Sequence, residues 1–394
     1  MQRIVLVSPD GFSILNIFKE LINIINREKN WEIIAICSSD KYIPVIKELG
    51  VKHISIKMDR YISPLQDLGY LIALYKVFKN EHFDVVINFT LKPIIYGTIA
   101  AKLTGNNFII SAFRGLGRIF QSELDTKGRF LKYVVMGLLW VACTCSRKVW
   151  FTNKNDCSYF LSKGIVREHK IILTNNGINI EHFSLGAVDK TKMHDLRKEL
   201  SINEDNRVII MVARLLWPKG IKEFVDAAKI VIEEYPSVKF LLVGSLEDKT
   251  PQYVPESFLK EHEKLGYFKW LGFREDVREL YAISDIAVLP SYYKEGGYPR
   301  ALLEPMAMGK PVITTDTPEC RGPVEVGKNG YLVPAKDAKS LANAIKDLFN
   351  DDEKRDMFGS FSRLKAVNEF DEKVIMSKIF NEIILQTCRS SNVC

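Results

Sequence analysis

From residue 3 onward the chain alternates short runs dense in β-branched residues with longer stretches of helical spacing, and it does so in two separate series. The first reads RIVLVS, FKELINIINREK, WEIIAICS, YLIALYKVFKNEH and DVVINFT, followed by NFIISAF, KVWFTN and KIILTNN. Near-continuous apolar strands separated by helical patterns build βα units, and successive βα units build a parallel sheet. The second series reads VIIMVAR, KEFVDAAKIVIEEY, KFLLVGS, FKWLGF, VRELYAISD, IAVLPS, PVITTD and YLVPA. Between the two lies HFSLGAVDKTKMHDLRKELSINEDNR, which is charged, lacks strand character and reads as a linker with a short helix. The expected architecture is α/β, with two Rossmann-like parallel-sheet domains, 1–185 and 186–367, facing each other across a cleft. The remainder, 368–394, contains DEKVIMSKIFNEIILQ and reads as an amphipathic helix that packs back on the first domain.

A chain of 394 residues exceeds one ordinary core, which agrees with two domains. The seven cysteines are odd in number and show neither Cys-x-x-Cys spacing nor a disulfide framework, so a reducing cytosol fits best. The strand RIVLVS begins almost at Met1, and no secretory signal peptide is expected. The longest apolar run, YVVMGLLWVACTCS, lies between Lys132 and Arg147 and falls short of the roughly 20 residues that span a bilayer. Apolar nearly all round, it reads as a core helix sooner than an interfacial one. A net charge of +7 suits an anionic surface but does not select one.

Chemistry concentrates in the second series. In SYYKEGGYPRALLEPMAMGKPV two carboxylates, Glu295 and Glu304, bracket a Gly-Gly-Tyr-Pro turn that opens into a helix, the kind of end that attracts anions. Upstream, MVARLLWPKGIKEF sets Arg214 just past a strand and Lys219 near a helix start. A planar guanidinium and a compact ammonium held this way can clamp a diphosphate without a metal.

These stretches, with LLVGS, WLGFREDV and SDIAVLPS in the same order, resemble family 4 of the retaining glycosyltransferases, which have the GT-B fold and use nucleotide-sugar donors. The resemblance covers nearly the whole chain and implies a retaining, metal-independent enzyme with a UDP-sugar as substrate, an N-acetylhexosamine or hexose, and no cofactor. It implies that Arg214 and Lys219 hold the donor diphosphate, that Glu295 contacts donor-sugar hydroxyls, that amides around Gly296 and Gly297 meet the distal phosphate, and that Glu304 meets the ribose hydroxyls. Gly244, Gly272, Phe273 and Arg274 are implied on the donor side, the last three around the base. The chain departs from the family in one respect: eight residues, GGYPRALL, separate the carboxylates where seven are usual. The Gly296-Gly297 pair is expected to absorb the extra residue before the helix.

In the first series SPDGFS resembles the family's first glycine-containing loop without its usual glycine pair, and MDRYISPLQDL, FTLKPIIYGTIAAKLTG and FRGLGRIF resemble the subgroup that extends glycans on polyprenyl-diphosphate carriers for surface polysaccharides or protein glycosylation. That resemblance implies a lipid-linked glycan acceptor and puts Gly11, Lys92, Arg114, Gly115 and Gly117 on the acceptor side. It also implies a cytoplasmic enzyme, peripheral on the inner face of the membrane and drawn to anionic lipid. Two alternatives remain open: a UDP-N-acetylglucosamine 2-epimerase-like isomerase, which needs no acceptor, and a non-catalytic partner protein of the same fold. No Asp-x-Asp pair occurs, the six histidines lack zinc-like spacing, and no basic stripe interleaved with aromatics suggests nucleic acid.

Overall fold

The computed structural model describes every residue except 29, 60–62, 116–119, 121–125, 248–249, 295 and 391–394, and leaves aside the side chains of 127 and 384–390. The chain divides into two compact units, Met1–Asn175 with Glu372–Cys394, and Asn176–Asp371.

The first unit runs β1 (Gln2–Asp10), α1 (Gly11–Arg27), β2 (Trp31–Ser38), α2 (Ile43–Glu48), β3 (Lys52–Ser55), α3 (Pro64–Asn80) and β4 (Val85–Phe89). A π-helical turn, Pro93–Gly97, leads into α4 (Thr98–Leu103), then β5 (Ile109–Phe113), α5 (Thr126–Cys145), β6 (Lys148–Phe151), α6 (Lys154–Ser162) and β7 (Ile171–Leu173). The seven strands form one sheet in the order β3-β2-β1-β4-β5-β6-β7, and every pairing is parallel. Strands β1, β4 and β5 are buried on both faces, which is why their sequences are apolar at consecutive positions and not at alternate ones. Alternate side chains of β1 enter different cores: Ile4 and Leu6 meet α1, whereas Val5 and Val7 meet α3 and α4.

The second unit runs α7 (Lys190–Glu199), β8 (Val208–Val212), a 3-10 turn at Trp217–Lys219, α8 (Ile221–Ile232), β9 (Lys239–Val243), α9 (Glu256–Glu263) and β10 (Phe268–Trp270). It continues through α10 (Val277–Ala282), β11 (Ile286–Leu289), α11 (Arg300–Ala307), β12 (Val312–Thr315), β13 (Gly330–Val333), α12 (Ala338–Phe349) and α13 (Asp352–Glu369). Its six strands are ordered β10-β9-β8-β11-β12-β13, again all parallel.

The break between the units falls at 175/176, earlier than residue 185. Ile178 donates its amide to the Phe370 carbonyl at 2.9 Å, and Ile178 and Phe183 are buried in the core of the second unit. The charged segment read as linker is likewise part of that unit, because α7 buries Leu196 against it. The last helix, α14 (Glu372–Ser390), belongs to the first unit, where Met376, Ile379, Phe380 and Ile383 pack with α1.

Candidate functional site

In the second sheet the strand order reverses between the neighbours β8 and β11. Open α/β sheets bind ligands beyond the carboxyl ends of their strands at such a reversal. Both sequence clusters leave the sheet there: Arg214 and Lys219 follow β8, and the loop 290–299 follows β11.

The two loops are stitched together by backbone. The Tyr292 amide donates to the Pro218 carbonyl at 2.8 Å, and within the β11 loop the Tyr293 amide donates to Ser291 Oγ at 3.2 Å. Between them Gly220 adopts φ +84°, and a Cβ there would lie 2.2 Å from the Pro290 carbonyl oxygen. Only glycine permits that approach in that conformation, so Gly220 lets α8 start directly beneath the β11 loop.

This geometry brings the two cations to one ring. Lys219 Nζ lies 4.8 Å from the Tyr293 ring centroid, and the Arg214 guanidinium carbon lies 5.4 Å from the same centroid. The electron-rich face of the ring orients both positive groups. Lys219 is only 7% exposed, so its charge is poorly screened by water. Two cations gathered at a strand end are suited to an anion carrying more than one charge, such as a diphosphate.

The neighbouring strand ends add a glycine scaffold. A Cβ on Gly244, which follows β9, would stand 1.8 Å from the Ala213 carbonyl oxygen. The Gly244 amide donates to Gly272 O at 2.8 Å, and Trp270 Nε1 donates to Gly244 O at 2.9 Å. Gly244 therefore ties the ends of β8, β9 and β10 together. Gly272 has φ +67°, and Phe273 beside it is 66% exposed. Arg274 is committed elsewhere: Nε and Nη2 fork onto Asp276 at 2.7 and 2.5 Å, and Nη1 reaches Glu199 at 2.8 Å. Those carboxylates hold its pKa above the ordinary value, and Asp276 is correspondingly lowered. Of these three residues, Phe273 offers the exposed side-chain surface.

Helix α11 carries Glu304. Its carboxylate accepts from Arg300 Nε at 2.9 Å, one helical turn earlier. Burial raises the Glu304 pKa, while the charge and hydrogen bond of Arg300 pull it down. The hydroxyl of buried Tyr281, which has no hydrogen-bond partner among the described residues, feels the Glu304 charge. Gly297 has φ +110°, Pro299 is extended at the N-cap, and the helix starts only at Arg300, so residues 296–299 lie outside it. Glu295 falls outside the described residues.

In the first sheet the order reverses between β1 and β4. Gly11 follows β1, but the amides that open α1 are already taken: Gly11 N and Phe12 N donate to Asp40 Oδ2 at 2.8 and 3.2 Å, and Ser13 N donates to Asp10 Oδ1 at 2.8 Å. A Cβ on Gly11 would lie 2.6 Å from Asp40 Oδ1, which identifies close packing as the reason for glycine. After β4, Thr90 takes the left-handed φ of +73°, and Lys92 pairs with Asp67 at 2.5 Å. Tyr96 OH reaches the other Asp67 oxygen at 3.4 Å. With the two side chains 14% and 7% exposed, Lys92 is part of a largely buried ion pair and not a solvated strand-end lysine. Arg114 is half-buried directly after β5, and Gly115 has φ +110°. Gly117 lies outside the described residues.

Three residues of the second unit went unassigned in the sequence. Tyr293 was hidden as one aromatic in SYYKEGG, and Trp270 as one apolar residue of a strand. Arg300 was legible, because it stands four positions before Glu304 on one helix face.

Residues 192–365 match the family described as Glycosyl transferases group 1, and residues 5–153 match the family described as Glycosyl transferase 4-like. The chain is 29% identical over 391 residues to the N,N'-diacetylbacillosaminyl-diphospho-undecaprenol alpha-1,3-N-acetylgalactosaminyltransferase of Campylobacter jejuni, covering 97% of this chain and 99% of that protein. It is 31% identical over 318 residues to the UDP-Gal:alpha-D-GlcNAc-diphosphoundecaprenol alpha-1,3-galactosyltransferase of Escherichia coli, covering 79% and 78%. Among solved structures, Anabaena HepE in complex with UDP and glucose superposes with a TM-score of 0.76 at 20% identity, covering 98% of this chain and all of that one, which establishes the GT-B fold. With both sheets, the motif order and these relatives in agreement, the chain belongs to the group 1, 4-like glycosyl transferases and is a glycosyltransferase.

Proposed function

We propose that the protein transfers a hexose or N-acetylhexosamine from a UDP-sugar to a glycan carried on a polyprenyl diphosphate, with retention at the anomeric carbon. The observation that carries this reading is the convergence of Arg214 and Lys219 on Tyr293 at the reversal of the second sheet. The Campylobacter and E. coli relatives are named as alpha-1,3 transferases acting on diphospho-undecaprenol glycans, which supports an acceptor of that class. The E. coli relative uses UDP-Gal, whose sugar is itself α-linked to phosphate, so an α product retains configuration.

In the proposed step the acceptor hydroxyl attacks the anomeric carbon on the face from which UDP departs. The bond from that carbon to the β-phosphate oxygen breaks, and the hydroxyl proton passes to that oxygen. Charge builds on the leaving diphosphate, where preorganised cations act most strongly. Arg214 and Lys219 meet it, amides at Gly296 and Gly297 add donors, and Glu304 accepts from the ribose hydroxyls. Gly272 and Phe273 flank the base, with Arg274 anchoring their loop through Asp276. Lys92, Arg114 and Gly115 belong to the acceptor side. No metal or other cofactor is required, and the enzyme works in the cytoplasm, peripheral on the inner face of the membrane.

The test is a thermal-shift screen of UDP-sugars followed by transfer of the winning sugar to a synthetic polyprenyl-diphosphate glycan. A donor present at 100 times its dissociation constant stabilises by about 2.7 kcal/mol. Product with an α linkage is expected. Epimerised donor formed without acceptor would establish the isomerase instead.

A further inference from the structure

Helices α3, α4 and α5 lie on one face of the first sheet, with α4 packed against both neighbours. Their outer side is unusual in two ways. On α5, Phe130, Tyr133, Val134, Trp140 and Val141 are all exposed, and their spacing of three, four and seven puts them on one stripe with Gly137. The segment Gly128–Cys145 has a mean hydropathy of 1.3, yet only 17% of it is buried. On α3, Leu65, Leu68 and Ile72 form a second exposed stripe, continued on the same face by Lys76 and Lys79; Leu65 is 86% exposed.

The second feature is charge. Across α3, α4 and α5 the only carboxylate is Asp67, which is buried and paired with Lys92. The same helices carry Lys76, Lys79, Lys102, Lys127, Arg129 and Lys132. The opposite layer, α1, α2 and α14, mixes both signs and includes Glu20, Glu48, Glu372 and Glu382. The α3–α4–α5 layer therefore combines exposed apolar stripes with charges that, the buried Asp67 aside, are of a single sign. That combination fits an anionic lipid surface, where apolar side chains enter the boundary between headgroups and acyl chains and basic residues meet the headgroups. Trp and Tyr are well suited to that depth, with an apolar body and a polar tip.

Helix α5 does not cross the bilayer in this arrangement. It joins β5 to β6, which pair in one sheet, and it buries Leu139, Ala142 and Cys143 against that unit. It can only lie flat. The first turns of α3 and α5 also begin at the carboxyl edge of the sheet, the edge that carries Lys92.

We propose that the α3–α4–α5 layer is the surface by which this protein docks on an anionic bilayer, with the stripes on α3 and α5 inserted at the interface. The docking gives a purpose to the lipid-linked acceptor reading and rests on it only to that extent, because vesicle binding needs no acceptor.

The test uses the full-length protein with phosphatidylcholine vesicles, with or without phosphatidylglycerol, read by co-sedimentation and by quenching of tryptophan emission with brominated acyl chains. Binding should require phosphatidylglycerol, weaken with salt, and show quenching that Trp140→Phe abolishes. The pairs Leu68→Ser with Ile72→Ser, and Phe130→Ser with Tyr133→Ser, should each weaken vesicle binding about tenfold or more. Stabilisation by UDP should stay unchanged, which separates lost docking from lost folding. Absence of binding to phosphatidylglycerol vesicles, or binding indifferent to both pairs, overturns the proposal. So does a sedimenting dimer that both pairs dissolve without any effect on vesicles, since the stripes would then cover a second copy. Vesicle binding with no transfer to a lipid-linked acceptor would refute the acceptor reading and leave the docking intact.

Discussion

The ammonium of Lys219 stands 4.8 Å from the ring centroid of Tyr293. Since the Arg214 guanidinium approaches that ring to 5.4 Å, one aromatic side chain from the β11 loop orients both cations of the β8 loop. The ring face orients them side by side despite their repulsion, an arrangement suited to an anion of more than one charge.

Removing either cation should therefore act on turnover more than on donor affinity. Arg214→Ala and Lys219→Ala are each expected to lower kcat by about a hundredfold or more. Tyr293→Ala should cost about tenfold by disordering the pair, and Tyr293→Phe should restore nearly full activity because the ring remains. Steady-state kinetics with the UDP-sugar donor reads this directly; equal losses in the Phe and Ala variants would show that the ring does not act through the cations.

The same pair bears on metal dependence. If Arg214 and Lys219 with loop amides offset the diphosphate charge, transfer should continue in excess chelator at close to its normal rate. Loss of transfer in chelator, regained on adding magnesium or manganese, would assign the leaving-group charge to a metal.

Much of this was readable from the sequence, and the exceptions share a cause. Parallel strands covered on both faces leave near-continuous apolar runs, so β1, β4, β8 and β11 announce themselves. The break between units did not, because its position depends on Ile178 meeting Phe370 and on Asn176 Nδ2 donating to Tyr298 O at 2.8 Å, contacts between residues far apart in the chain. Lys92 is put on the acceptor side by resemblance, and its ion pair was not legible because its partner Asp67 sits on a different helix. Tyr293 acquires its role only when the β8 and β11 loops become neighbours. Gly11, put on the acceptor side by resemblance, opens a helix whose first amides donate to Asp40, a partner 29 positions away that the sequence does not show.

Glu304 gives a pH prediction. Burial raises its pKa and Arg300 opposes the rise. Protonation removes the charge with which it would accept from ribose hydroxyls, so donor affinity should fall as pH drops, at a pH above that expected of an ordinary glutamate. Arg300→Ala deletes the opposing charge and should move this acid limb to still higher pH, whereas Glu304→Gln should weaken donor binding at every pH and flatten the limb. Donor KM measured across the acid range checks it; an acid limb that stays put in Arg300→Ala would remove Glu304 from the ribose.

Lys310 closes the turn between α11 and β12, with its Nζ donating to the Ala282 carbonyl at 3.1 Å. Burial lowers its pKa from 10.5 to about 8, against the nearby charge of Asp285. The sign of the stability effect follows from proton counting. Between about pH 8 and the ordinary lysine value, the unfolded chain keeps this proton while the folded chain releases it, so the unfolded state binds more protons and folding stability rises with pH across that window. Below it both states are protonated, and the folded protein bears the full cost of a buried ammonium. Lys310→Met, which fills similar space without charge, should be more stable than the parent near neutral pH, and the gap should narrow by up to about 3 kcal/mol towards pH 10. Urea unfolding of both proteins at several pH values measures the gap. A constant gap would mean that Lys310 titrates alike in the folded and unfolded chain, and that the turn behind the Glu304 helix is wetter than its packing indicates.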